Sequence, residues 1–139
     1  MWTILRSVLG VVAGFVVASI VMMIVETVNG KVLYPELGKS AKGVTDREEI
    51  KKIMDSAPTG ALVVVLIGWV LGSIAGGAVT TRICRCQTNR HALILGCMLT
   101  LAGIVNNLML PPPFWFWIAT LVVFLPSTSL GARLVRQTA

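Results

Sequence analysis

Hydrophobic positions along this chain fall into four long runs, separated by polar breaks of which one is much longer than the others. The runs cover about Ile4–Val28, Pro58–Thr81, Ala92–Leu110 and Phe114–Ala132. None alternates apolar with polar residues, and each approaches the roughly 20 residues a helix needs to cross a bilayer. The pattern predicts an all-α membrane protein, with four transmembrane helices in a bundle that form a single integral membrane domain over residues 1–139. The first run has one early arginine, Arg6, and stays apolar to Val25. The apolar part of a cleaved signal is roughly 7–15 residues long, so this run reads as a retained first helix.

The long break, Asn29–Ala57, contains Thr45-Asp46-Arg47-Glu48, a capping-box pattern in which hydroxyl and carboxylate satisfy free amides at a helix start. Behind it Ile50, Ile53 and Met54 share one helical face, and Glu48 is spaced to pair with Lys52. The segment predicts a short amphipathic surface helix between helices 1 and 2. Pro58 suits the first turn of the second span. Pro111-Pro112-Pro113 forces a tight reversal, and Phe114, Trp115, Phe116 and Trp117 follow it. Trp115 and Trp117 in this cluster mark an interfacial aromatic belt. Pro126 predicts a kink in the fourth helix, with Ser127, Thr128 and Ser129 placed to satisfy the freed carbonyls.

Composition sharpens the class. The chain is 55% hydrophobic and 13% charged, with a mean hydropathy of +0.84. A soluble domain carries roughly 25% charged residues, so a water-soluble globule is excluded. The net charge of +6 does not indicate nucleic acid, because the twelve Lys and Arg residues lie between apolar spans and form no aromatic-studded basic face. Membrane topology and anionic headgroups account for them. Arg6, Arg82, Arg85, Arg90, Arg133 and Arg136 fall on one side; Lys31, Lys39, Lys42, Arg47, Lys51 and Lys52 fall on the other. The compact arginine turns at the helix ends favour an inner-membrane protein with both termini cytoplasmic. Cys84 and Cys86 lie in one of those turns and, in a reducing compartment, read as free thiols. With His91 they have soft-metal ligand types but no structural zinc spacing, so no metal or other cofactor is implied. The endings Arg82-Ile83-Cys84-Arg85 and Arg133-Leu134-Val135-Arg136 also hint at two similar hairpins.

Two sets of residues carry the functional reading. Gly68, Gly72 and Gly76 in the second span, Gly10 and Gly14 in the first and Gly96 in the third recur at four-residue spacing. Such stripes let helix backbones approach closely, either within the bundle or against another helix. Glu26 is the only acid within a span, and Asn29 follows it on the same face. Asn106 and Asn107 fall at similar depth, about a turn from the end of the third span. Ionisable groups in spans are costly and usually functional, which makes Glu26, Asn29, Asn106 and Asn107 a candidate polar site for a proton or cation. Trp69, near the middle of the second span, reads as packed core. No catalytic triad, carboxylate pair within spans or phosphate loop is present, so an enzyme is not expected.

Glu26 closing the first span, Tyr34-Pro35, Trp69-x-x-Gly72, Asn106-Asn107 before Leu110-Pro111, and Pro126 before Gly131-Ala132-Arg133 together give a resemblance. Along nearly its whole length the chain resembles a family of small four-span bacterial membrane proteins with no assigned activity. Small multidrug-resistance transporters also have four short helices and one membrane acid, but their acid lies deep in the first helix and their loops are shorter than Asn29–Ala57. The expected role is a non-enzymatic scaffold or accessory subunit, held to lipids and to a second copy or a membrane-protein partner through its glycine faces. The alternative is a small ion- or solute-translocating protein using Glu26 with Asn106 and Asn107.

Overall fold

The computed structural model describes residues 1–85 and 87–138. Its helices are α1 (Trp2–Val28), α2 (Pro35–Ala41), α3 (Arg47–Ser56), α4 (Thr59–Cys84), α5 (Arg90–Met109) and α6 (Phe114–Thr138). A π-helical segment, Asn29–Leu33, joins α1 to α2. No strand occurs among the described residues. Four helices are long and apolar enough to cross a membrane: Trp2–Leu33, Thr59–Cys84, Arg90–Met109 and Phe114–Gln137. The protein is therefore suited to a membrane-embedded, multi-pass existence, with Ile4, Ile24, Leu101, Val122 and other large apolar side chains exposed on its outer surface.

The packing follows from the glycines. In lipid no hydrophobic effect drives helices together, so close backbone contact must do so. A Cβ on Gly76 would stand 2.7 Å from the Gly14 carbonyl oxygen, and one on Gly72 would stand 2.8 Å from that of Ala18. Gly10 faces the Thr80 carbonyl, and Gly68 faces Val25. These contacts zip α1 antiparallel along α4. On the other side of α4, Gly77 meets the Thr128 backbone and Gly131 meets the Ile74 carbonyl. Gly96 of α5 packs against Leu125 and Thr128 of α6. α1 and α6 thus flank α4, while α5 packs chiefly on α6 and touches α1 lightly.

The core fills the space these contacts leave. Trp69, Leu95, Leu99, Phe116 and Phe124 are buried there. Trp69 stacks on Phe124 at 5.2 Å between ring centroids and meets Phe116 edge-on at the same distance. Phe116, read from sequence as part of the belt, belongs to this core, whereas Phe114 and Trp115 are exposed and Trp117 is half-buried. Its position two residues into a helix that faces α4 decides this. In α6, Ser127 donates to the Val123 carbonyl and Thr128 to that of Phe124, around Pro126. Ser129 instead accepts a hydrogen bond from Asn89.

Several local expectations change. The start of α3 is capped by Asp46 rather than Thr45, with no side-chain hydrogen bond, so the capping box does not form. Glu48 and Lys52 make no ion pair; the pair found among the described residues is Lys39–Glu36 at 3.1 Å. Pro58 is the N-cap of α4 rather than its first turn. Cys84 is disulfide-bonded, not free, while Cys86 lies outside the described residues. Arg85, at φ 52°, turns the chain directly after Cys84.

Gly76→Ala should destabilise the protein by about 1–3 kcal/mol, the usual range for overpacking. Gly30→Ala, whose added carbon would have Gly38 Cα at 3.8 Å as its neighbour, should change stability by less than about 0.5 kcal/mol. Thermal unfolding of both variants in one detergent checks the contrast, and equal melting temperatures would contradict the zipped α1–α4 contact.

Candidate functional site: a polar cavity at one end of the helices

α1 does not stop where its apolar run ends. The π-helical segment extends it to Leu33, closed by a 2.7 Å bond from the Tyr34 amide to the Asn29 carbonyl. Such π turns concentrate at functional sites because they re-aim side chains. The extension also leaves Glu26 about 10 Å from the helix end at 1.5 Å per residue rather than a single turn from it, exposed and beside Lys31, Lys39 and Lys42 on its outer side. From there a Glu26 carboxylate oxygen accepts a hydrogen bond from Trp69 Nε1 at 3.1 Å. The mid-helix tryptophan is both core and partner of the membrane acid.

Glu26, Asn29, Asn106 and Asn107 all line one cavity of about 240 Å³. Ala61, Leu62 and Val65 of α4 and Phe116 of α6 form its inner wall. Its outer wall is built by Leu37, Gly38 and Ala41 of α2 and by Ile50, Ile53 and Met54 of α3. The two short helices thus turn their apolar residues onto the cavity. α2 can lie this close because a side chain on Gly38 would run into the Gly30 carbonyl. Tyr34 packs back on the start of α4: its hydroxyl occupies the space where a side chain on Gly60 would sit.

The orientation of the two buried amides is set by their neighbours. Asn107 is fully buried, and its Nδ2 donates to Thr120 Oγ1 at 2.8 Å. That hydroxyl has spent its own proton on the Phe116 carbonyl, also at 2.8 Å, so only a donor can face it. Asn29, 5% exposed, directs Nδ2 to the Ala61 carbonyl at 3.0 Å, which again admits only a donor. Both Oδ1 atoms are consequently left buried with no hydrogen-bond donor. An unsatisfied buried polar atom costs about 1–3 kcal/mol, and the two residues that carry these atoms both line this one cavity. Asn106 lines the same cavity but is exposed. No Lys, Arg or His lines it.

The other end of the helices is chemically different. Arg6 Nε donates to the Ile83 carbonyl at 3.2 Å, and Arg136 donates to the Gln87 carbonyl at 2.8 Å and to Asn89 Oδ1 at 3.1 Å. Cations there complete the carbonyls of the turn between α4 and α5. No group of three or more His, Cys, Asp or Glu residues suited to a metal occurs among the described residues.

Compared with known protein families, characterised proteins and solved structures, the chain matches none. Function is therefore read from the site itself. The sequence singled out the acid and the amides, and the structure brings all of them together. Trp69 and Thr120 as their partners, and α2 as part of the wall, were not recognised. Trp69 was visible as an indole N–H that needs an acceptor when buried.

A double-mutant cycle with Asn107→Leu and Thr120→Val, followed by denaturant unfolding, should give a coupling of about 0.5–1.5 kcal/mol, the net worth of one hydrogen bond. Additive effects would contradict the fixed orientation of the Asn107 amide.

Proposed function

We propose that the protein binds a small positively charged solute in this cavity and moves it across the membrane. The supporting observation is the chemical imbalance of the lining: one carboxylate and two donor-less buried amide oxygens, without any basic side chain. Such a set attracts a group that carries positive charge and donates hydrogen bonds. Glu26 supplies the charge, Asn29 and Asn107 supply acceptors, and Asn106 lies where the solute meets the outside. α2 and α3 serve as the cover that separates the cavity from water. In this reading the protein is a non-enzymatic inner-membrane protein with both termini in the cytoplasm, the side that the arginine turns favour. The disulfide of Cys84 at that end is then of the transient kind that a reducing compartment allows.

The scaffold reading draws on the glycine faces. In the structure Gly10, Gly14, Gly68, Gly72 and Gly76 are covered by the chain's own α1–α4 contact, and Gly96 by α6. An assembly with a second copy or a partner subunit would have to use the remaining apolar surface. The cavity therefore supports the translocating reading better.

Uptake of labelled methylammonium into proteoliposomes tests it. A lost charge-assisted hydrogen bond is worth about 1.5–3 kcal/mol, so Glu26→Gln should slow uptake at least about 10-fold. Lys51→Gln, on the solvent-exposed face of α3, should leave uptake unchanged. Wild-type protein no faster than empty liposomes, or a Glu26→Gln variant as fast as wild type, would overturn the proposal.

A further inference from the structure

The cavity adjoins a second space, on the flank of the molecule between α1 and α5. Because α1 is zipped to α4 and meets α5 only lightly, a groove of about 300 Å³ runs between α1 and α5. Phe15, Met22 and Met23 of α1 form one side, Leu99 and Ala102 of α5 the other. Trp69 borders the groove, and Glu26 and Asn106 line both the groove and the cavity, so the two spaces adjoin at the membrane acid.

The groove is apolar to its end. Its one hydroxyl, Ser19 Oγ, is spent on the Phe15 carbonyl of its own helix at 2.8 Å. The Trp69 N–H is spent on Glu26. No basic side chain lines the groove. From Phe15 to Glu26 it follows α1 for about 16 Å, the length of a chain of about a dozen methylenes. A hydrocarbon tail fits this surface without leaving a polar group unpaired, and the polar groups begin where the tail would end.

We propose that groove and cavity form one site for an amphiphile with a primary ammonium head, which enters sideways from the bilayer between α1 and α5. This deepens the reading that the cavity binds a cation, and rests on it. The tail lies along Phe15, Met22 and Leu99, and the head sits among Glu26, Asn29 and Asn107. The head is primary because the donor-less oxygens of Asn29 and Asn107 require N–H groups, which a trimethylammonium lacks. An anionic head is disfavoured inside the cavity, where Glu26 is the one charged lining residue; Lys31, Lys39 and Lys42 flank Glu26 only on its outer side.

Trp69 offers a readout. Replacing Trp2, Trp115 and Trp117 with Phe leaves it as the sole tryptophan of the four in the chain. In phosphatidylcholine nanodiscs, dodecylamine should change its emission saturably, at a mole fraction at least about 10-fold below that of dodecyltrimethylammonium, the effect of one charge-assisted hydrogen bond. Glu26→Gln should weaken dodecylamine by a similar factor. Partitioning into lipid alone also favours a long tail, so Ala102→Phe, which fills the groove from the exposed face of α5, separates the effects. It should weaken dodecylamine and leave ethylamine unaffected. Equal responses to the two dodecyl heads, or no effect of Ala102→Phe on dodecylamine, would overturn the amphiphile site. A retained ethylamine response in that case leaves the cation cavity standing, whereas silence toward every ammonium compound sinks both. Thermal unfolding of each variant confirms that it is folded.

Discussion

Backbone-to-backbone contact between α1 and α4 is the constraint on which the rest depends. Gly14 and Gly76 lie so close that neither can carry a side chain without pushing the helices apart. Because α1 is committed to α4, it is registered residue by residue: Gly10 on Thr80, Ala18 on Gly72, Val25 on Gly68. That register brings Glu26 to Trp69 and Asn29 to the Ala61 carbonyl. It also draws α1 away from α5, and the groove is the consequence. One packing interaction thus positions the acid, orients an amide and leaves a groove on the flank of the molecule.

A second consequence is the contrast between the two ends. At one end arginines neutralise exposed carbonyls and the turn is closed. At the other, acceptors gather around a space that no basic side chain lines. Buried polar atoms in proteins are nearly always paired, and each exception calls for an explanation; Ser73, Thr80 and His91 carry others elsewhere in the fold. Asn29 and Asn107 are such atoms at one place, on different helices, each held by a partner that forbids the amide from turning over. Strain of this kind is tolerated where a ligand relieves it.

Much of this was legible in the sequence, because apolar length and isolated polar residues are local signals. The four long helices, the acid at Glu26 and the Asn106-Asn107 pair needed no tertiary information. What failed depended on partners distant in sequence. Asn29-Gly30 reads as the end of a helix, yet a π turn carries α1 on to Leu33, because Asn29 gains a bond to α4. Thr45 fits a capping box, but Asp46 takes the cap position. Phe116 fits a headgroup belt, but Trp69 and Leu62 leave room for it inside. The spacing of the glycine stripes left open whether they pack within the chain or against another helix. They are used within the chain, since α4 needs small residues on both flanks to be approached by α1 and α6.

The central claim is that Asn29 and Asn107 turn their oxygens to a bound ammonium. Solid-state NMR dipolar recoupling between 15N-labelled dodecylammonium and 13C-labelled asparagine side chains tests it directly, in phosphatidylcholine bilayers. The account predicts strong dephasing at the amide carbons of Asn29 and Asn107, assigned by single Asn→Ala variants. Dephasing absent from both, with the amine nonetheless bound, would contradict it.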